Sequence, residues 1–284
     1  MLAGGGTKAA YAAGVLEVLL PTLDPVRQRP FARVEATSSG IFNAAMMAAG
    51  QDAGEIADNW LRLRPLRALS PNWLQLPLLF WGRSLLTWNR FMRNVVKRPS
   101  GWGLTFPVRA TDGRAYHFNA YNVSDQRLVS FDELDETRFK ACIALPRWFP
   151  SEMIDHQRHV DAVFATDSNA AAVLDVDGLD EIWVIWTVDV SGTWHNGWVS
   201  NYFRILEQSA AASYRRERKH ILAHDFIPAA HATEHDKVLF EIAGDVPAHY
   251  LFTFFGRTVR NAVKQGSDDA TRYLEDHAKL WSRP

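Results

Sequence analysis

The chain is nearly without cysteine. Cys142 is the only one in 284 residues, so no disulfide can form within it, and a lone thiol of this kind reads as a small buried apolar side chain. Long apolar runs are lacking as well: nothing approaches the roughly 18 uninterrupted apolar residues of a membrane-spanning helix. No charged-then-apolar leader precedes the first motif. These absences predict a soluble protein of a reducing compartment, the cytoplasm. Net charge is also scarce, since 31 Lys and Arg against 32 Asp and Glu leave −1. That removes the global basic field of a general nucleic-acid binder.

One absence is local. From Asn59 to Thr111 there is not one Asp or Glu, while Arg62, Arg64, Arg67, Arg83, Arg90, Arg93, Lys97, Arg98 and Arg109 fall there, interleaved with Trp60, Trp73, Trp81, Trp88 and Trp102. Tryptophan with arginine and leucine suits a lipid headgroup boundary, where each basic residue contributes about 1 kcal/mol against an anionic surface. It suits better a cap whose Trp and Leu face its own core, and least well a platform for single-stranded nucleic acid. Pro65, Pro71 and Pro77 exclude one continuous helix in the first half of the segment.

What is present begins at the first residues. Gly4-Gly5-Gly6-Thr7-Lys8 feeds a helical run from Ala9 to Leu20, which Pro21 is expected to stop. A glycine-rich loop entering a helix presents free backbone N–H groups and the positive end of a dipole, so it is an anion site. The anion can be a phosphate or the oxyanion that develops when an ester carbonyl is attacked. The phosphate-loop spacing G-x-x-x-x-G-K-[ST] is absent. The strand that should precede this loop has room only for Met1 to Ala3.

The second feature is Val34 to Gly50, VEATSSGIFNAAMMAAG: a β-like segment from Phe31 to Ala36, a tight Ser-Ser-Gly corner and a helix of small residues. Ser38 stands where a sharp strand-to-helix turn would expose a nucleophile. Ala36 and Gly40 are the small residues that such a crowded turn requires. The same stretch would also serve as a plain helix cap.

Taken together, G-G-G-x-K at the start and T-S-S-G-I-F-N-A-A about thirty residues later resemble the patatin-like phospholipase family. Its first loop, G-G-G-x-[RK]-G, supplies the oxyanion hole, and its G-x-S-x-G elbow carries the nucleophilic serine. Gly4, Gly5, Gly6 and Lys8 match the first, with Ala9 at a usual glycine; Ser38 matches the second, with Ala36 at a usual glycine. Further on, A-C-I-A-L-P-R-W-F-P-S (Ala141 to Ser151) and His159-Val160-Asp161-Ala162-Val163 resemble the segment leading to the family's D-G-[GA] motif. Asp161 matches its aspartate, with Asp155 and Asp167 as neighbours in alternative registers. The resemblance is dense to about Asp189 and thin beyond.

It implies a three-layer α/β/α sandwich with a mostly parallel central sheet, a basic Trp-rich helical cap over 59–111 and a mainly helical part over 200–284, all in one domain of residues 1–284. It implies a lipid acyl hydrolase of phospholipase A, lysophospholipase or carboxylesterase type, with Ser38 as nucleophile, Asp161 as its base, and the loop of Gly4, Gly5, Gly6 and Lys8 as oxyanion hole. Its partners would be a lipid or acyl-ester substrate and, through 59–111, the membrane periphery, with no cofactor, no metal and no nucleic acid. Lys8 could steady the loop or meet a lipid phosphate. One rival is an α/β-hydrolase triad with His220, His224, His231, His235 or His249 as base. Another is a catalytically degenerate lipid- or partner-binding chain, suggested by Ala9, Ala36 and Ala162.

Five further stretches complete the reading. Glu181 to Asp189 is the clearest buried strand, a nearly continuous apolar run of the kind a two-sided parallel sheet requires. Asn201 to His224 reads as a long helix with a solvated basic face. His231-Ala-Thr-Glu-His235 spells the H-x-x-E-H of a zinc protease, but the strand-like Val238 to Ile242 behind it makes it a loop. Ala248 to Leu280 reads as helical, with G-S-D-D-A resembling a helix start. Asn122-Val123-Ser124, formally a glycosylation acceptor, reads as idle.

Overall fold

A computed structural model of the chain describes residues 1–63, 71, 84–110, 113–187, 197–246 and 256–281. After the glycine loop a short 3-10 turn leads into α1 (Ala9–Leu23), followed by β1 (Arg33–Thr37), α2 (Gly40–Ala48), α3 (Ala53–Leu61) and α4 (Trp88–Phe91). Next come β2 (Ala115–Asn122), β3 (Arg127–Phe131), α5 (Glu136–Cys142), β4 (Glu152–Ile154), β5 (Gln157–Asp161) and α6 (Ala170–Leu174). The chain closes with β6 (Glu181–Trp186), α7 (Trp198–Leu222), β7 (Phe226–Pro228), β8 (Lys237–Ala243), α8 (Gly256–Asp276) and α9 (Ala278–Trp281).

The three residues ahead of the glycine loop act as the central strand. Leu2 bridges in parallel to Ala36 of β1 on one side and to Ile185 of β6 on the other. Its N–H donates to Glu35 O at 2.7 Å and its carbonyl accepts from Thr37 N–H at 3.1 Å. On the other edge, Ala3 N–H donates to Ile185 O and Ile185 N–H to Met1 O. This segment joins β4-β5-β2-β1 to β6-β8-β7. Pairings of β1 with β2, of β6 with β8 and of β7 with β8 are parallel, while β3 and β5 run antiparallel to β2.

The layers follow from the two-residue period of a strand. Trp183 and Ile185 of β6, with Val238, Phe240 and Ile242 of β8, join the core beneath α1 and α8, whereas Ile182, Val184 and Leu239 join the one beneath α6 and α7. Both faces are covered, which is why β6 reads as a continuous apolar run. Helices α1 and α8 approach closely at two glycines. A Cβ on Gly14 would stand 1.9 Å from Val263 O, and one on Gly266 2.1 Å from Tyr11 O.

Two boundaries differ from expectation. Helix α1 passes through Pro21 and ends two residues later at Leu23, so the bond Pro21 cannot make and the crowding of its ring fall in the last turn. Gly266-Ser-Asp-Asp-Ala lies inside α8 rather than at its start, the glycine being required by contact with α1. Asp189, and residues 248–255 of the tail expected to be helical, lie outside the described residues, as do Arg64, Pro65, Arg67, Trp73, Pro77, Trp81, Arg83 and Thr111. His231 to His235 is a loop, as its neighbours indicate.

Candidate active site

Strand β1 delivers Ser38 to the sheet's C-terminal edge. The residue sits between Thr37 and helix α2 with φ at +52°, a left-handed conformation that is uncommon for a side-chain-bearing residue and marks a sharp elbow. Gly40 is needed two residues on, since a Cβ there would stand 2.4 Å from Leu2 O. Ala9, Ala36 and Ala162, the departures from the glycine pattern, all avoid positive φ, so none strains the backbone.

Register on β2 brings the second residue. Strand β3 covers one edge of β2 over residues 118–122, so β1, paired with 115–119, and β5, paired with 120–122, share the opposite edge. They run toward one another and their C-terminal ends meet, Thr37 beside Asn119 and Asp161 beside Ala120. Ser38 Oγ donates to Asp161 Oδ2 at 2.7 Å, and Asp161 Oδ1 accepts from Val163 N–H at 2.9 Å. Both residues are buried, Ser38 at 8% and Asp161 at 1% exposure. Burial pushes the Asp161 carboxyl up to about 7, against the hydrogen bonds from Ser38 and Val163, which pull it down. Of the alternative aspartates, Asp155 is exposed in the β4–β5 turn, and Asp167 is buried but bonded elsewhere.

The glycine loop runs beside the serine. A Cβ on Gly4 would lie 2.9 Å from Ser38 Cβ. Gly5 has φ at +155°, and a Cβ there would lie 2.4 Å from Thr187 Oγ1; Gly6 has φ at +59°. Gly4 N–H donates to Asp167 Oδ1 at 3.0 Å, whereas the N–H groups of Gly5 and Gly6 donate to none of the described residues. Lys8 is wholly buried and its ammonium pairs with Glu207 of α7 at 2.9 Å, with Arg204 at 3.4 Å from the other carboxylate oxygen. The pair links the end of the glycine loop to α7.

Ser38 and Asp161 face a mainly apolar cavity lined also by Gly6, Phe42, Trp60, Trp88, Trp102 and Phe149, among others. Its wall is a web of rings: Phe42 and Trp102 centroids lie 4.7 Å apart, Trp60 and Trp102 5.5 Å, and Trp88 stacks on Phe149 at 4.1 Å. The three described tryptophans of the basic segment are thus buried in the wall of this cavity. Arg62, Arg90, Arg93, Lys97, Arg98 and Arg109 of that segment are exposed. His220, His224, His231 and His235, the described bases of the triad alternative, are all exposed and none lines the cavity; His249 lies outside the described residues. Among the described residues no cluster of three His, Cys, Asp or Glu is placed to hold a metal, and no helix is long and apolar enough to cross a membrane.

Three residues at the site were not singled out by sequence: Thr187, Trp186 and Glu207. Glu207 did leave a signal, for it shares a helical stripe with Phe203, Ala210 and Ala211. A carboxylate at core spacing requires a buried partner.

In comparisons with known proteins, the model of the family described as Patatin-like phospholipase matches residues 1–175. No curated protein matches the sequence. Among solved structures, that of VipD from Legionella pneumophila is similar at a TM-score of 0.48 and 12% identity, covering 97% of this chain and 66% of that one. This chain thus spans just under two thirds of the length of that protein's chain.

Proposed function

The chain belongs to the patatin-like phospholipase family, whose members hydrolyse lipid acyl esters, and on that premise we propose that it does so through Ser38 and Asp161. The observation that carries this reading is the 2.7 Å hydrogen bond between the two residues at the mouth of an apolar cavity. A serine hydroxyl is a weak nucleophile at neutral pH and needs a base within this reach. A carboxyl raised to about 7 is matched to the task, because a large fraction is ionised near neutral pH and that fraction is basic enough to take the proton.

The reaction balances as an acyl transfer in two halves. Ser38 Oγ attacks the ester carbonyl carbon as its proton passes to Asp161 Oδ2, and the carbonyl oxygen becomes an oxyanion that accepts hydrogen bonds from the Gly5 and Gly6 N–H groups. Asp161 returns the proton to the leaving alkoxide, the C–O bond breaks, and an acyl-enzyme remains. Water then attacks with Asp161 as base, releasing the carboxylic acid and Ser38. Base catalysis contributes about 10²–10⁴-fold and each oxyanion donor about 2.7–4 kcal/mol. The acyl chain lies among Phe42, Trp60 and Trp102, with the hydrophilic part of the lipid outside. Residues 1–284 act as one domain in this reading, with 59–111 as its cap, in the cytoplasm or at the membrane periphery.

The test is release of fatty acid from phospholipid, lysophospholipid and simple acyl esters by the intact chain. Hydrolysis of at least one class, abolished in Ser38→Ala and lowered about 10²–10⁴-fold in Asp161→Asn, is expected. Undiminished hydrolysis in either folded variant would overturn the assignment.

A further inference from the structure

Asp167 is a wholly buried carboxylate that the reaction above does not use. It lies between the 3-10 turn that follows Asp161 and helix α6. Its Oδ1 accepts the Gly4 N–H at 3.0 Å and its Oδ2 the Trp186 indole N–H at 3.1 Å. Gly4 is held from its other side as well, its carbonyl accepting from Thr187 Oγ1 at 3.0 Å. Both backbone groups of the first loop glycine are therefore fixed by side chains, one from the β5–α6 connection and one from just beyond β6.

We propose that Asp167 is a positioning residue for the oxyanion loop: its carboxylate grips Gly4 and Trp186 at once and sets where the Gly5 and Gly6 donors stand relative to Ser38. The inference rests on the reading of Ser38 as nucleophile. Loop and nucleophile are in near contact, since a Cβ on Gly4 would lie 2.9 Å from Ser38 Cβ and 3.1 Å from Asp167 Oδ1. The loop has no room to drift toward the serine, and Asp167 holds it from moving away.

The chemistry of the grip explains the residue type. Two N–H donors face the two oxygens, and an ionised carboxylate accepts at both, whereas an amide accepts at only one. Asparagine here would have to abandon either Gly4 or Trp186. Burial opposes the charge and pushes the carboxyl up to about 7, with the Glu217 carboxylate raising it further and the Gly4 N–H drawing it down. Glu217 is itself engaged by Ser168 Oγ, Ser213 Oγ and the Ala170 N–H. A buried carboxylate is expensive to keep, and holding the loop in place is the return on that cost.

The experiment measures the rate of labelling by a fluorophosphonate, which builds an oxyanion at Ser38, alongside kcat and KM for an acyl ester, in wild type, Asp167→Asn, Trp186→Phe and the double variant. Asp167→Asn is expected to lose roughly 10²-fold in labelling rate and kcat, the effect of about an ångström of misplacement, with KM unchanged. Trp186→Phe leaves the Gly4 bond and should cost only a few-fold. In the double variant the amide oxygen is free to face Gly4, so the rate should return toward that of Trp186→Phe. Wild-type rates in folded Asp167→Asn, or a double variant no faster than Asp167→Asn, would overturn the proposal. Should Asp167→Asn not fold, Thr187→Val, which releases the Gly4 carbonyl, must slow labelling several-fold, and an unchanged rate overturns it. A wild type that does not label at Ser38 contradicts the nucleophile assignment instead, so the two failures are distinguishable.

Discussion

Ser38 and Asp161 meet because their strands end against consecutive residues on one edge of β2, Thr37 beside Asn119 and Asp161 beside Ala120. The 2.7 Å hydrogen bond between residues 123 positions apart is thus a product of register. A slip of one residue in β5 would turn Asp161 to the other face of the sheet.

The loop beside the serine leaves no space for a methyl group. Gly4→Ala would set a Cβ 2.9 Å from Ser38 Cβ, so kcat/KM should fall by about 10²-fold as the serine is displaced. Overpacking should lower stability by about 1–3 kcal/mol. Steady-state kinetics and thermal melting of the same preparation check both effects.

The raised carboxyls give opposite pH dependences to activity and stability. Asp161 must be ionised to accept the Ser38 proton, so kcat/KM should rise with pH and level off above about 7. An unfolded aspartate titrates near 3.9. Between that value and about 7 the folded protein therefore binds more protons than the unfolded chain, and stability must fall as pH rises. The slope approaches roughly 1.4 kcal/mol per pH unit for each such group, here Asp161 and Asp167. Denaturant midpoints across this range should fall with pH in wild type and fall less steeply in Asp161→Asn.

Lys8 offers a test of a buried ion pair. Lys8→Met would remove the 2.9 Å partner of Glu207, leaving it Arg204 at 3.4 Å among the described residues, and should cost about 3–5 kcal/mol. Adding Glu207→Leu should restore part of that loss, since an apolar pair of similar volume replaces the ions. Equilibrium unfolding of the single and double variants measures the difference.

Cavity shape should set acyl preference. Trp102→Leu removes a ring packed against Phe42, Trp60 and Phe91, so the chain length giving the highest kcat/KM should increase, at a stability cost of about 2–5 kcal/mol. A series of p-nitrophenyl esters from short to long acyl chains reads the shift directly.

Much of this site was legible because its parts are local. A glycine loop before a helix, a serine between strand and helix, and an aspartate at a strand end each declare themselves within a few residues. The contacts that turn them into a site are not local. The register of two strands on β2, the pairing of Lys8 with Glu207 across 199 positions, and the hold of Asp167 on Gly4 across 163 leave almost no trace in any single segment. The Trp- and Arg-rich segment shows the same limit from the other direction. Its composition fits an internal wall and, less well, a lipid surface, and no single residue of it foretells that Trp60, Trp88 and Trp102 pack around the cavity. Pro21 and Gly266 misled for a related reason: one reads locally as a helix stop and the other as a helix start, and these are overridden by position in the last turn of α1 and by the close contact of α1 with α8.

The most direct measurement is the site of covalent modification by a fluorophosphonate, located by mass spectrometry in wild type, Ser38→Ala and Asp161→Asn. The account predicts one adduct per chain, on Ser38, absent in Ser38→Ala and strongly slowed in Asp161→Asn while both variants remain folded. An adduct on another serine, or labelling of Ser38 at an undiminished rate in Asp161→Asn, would contradict it.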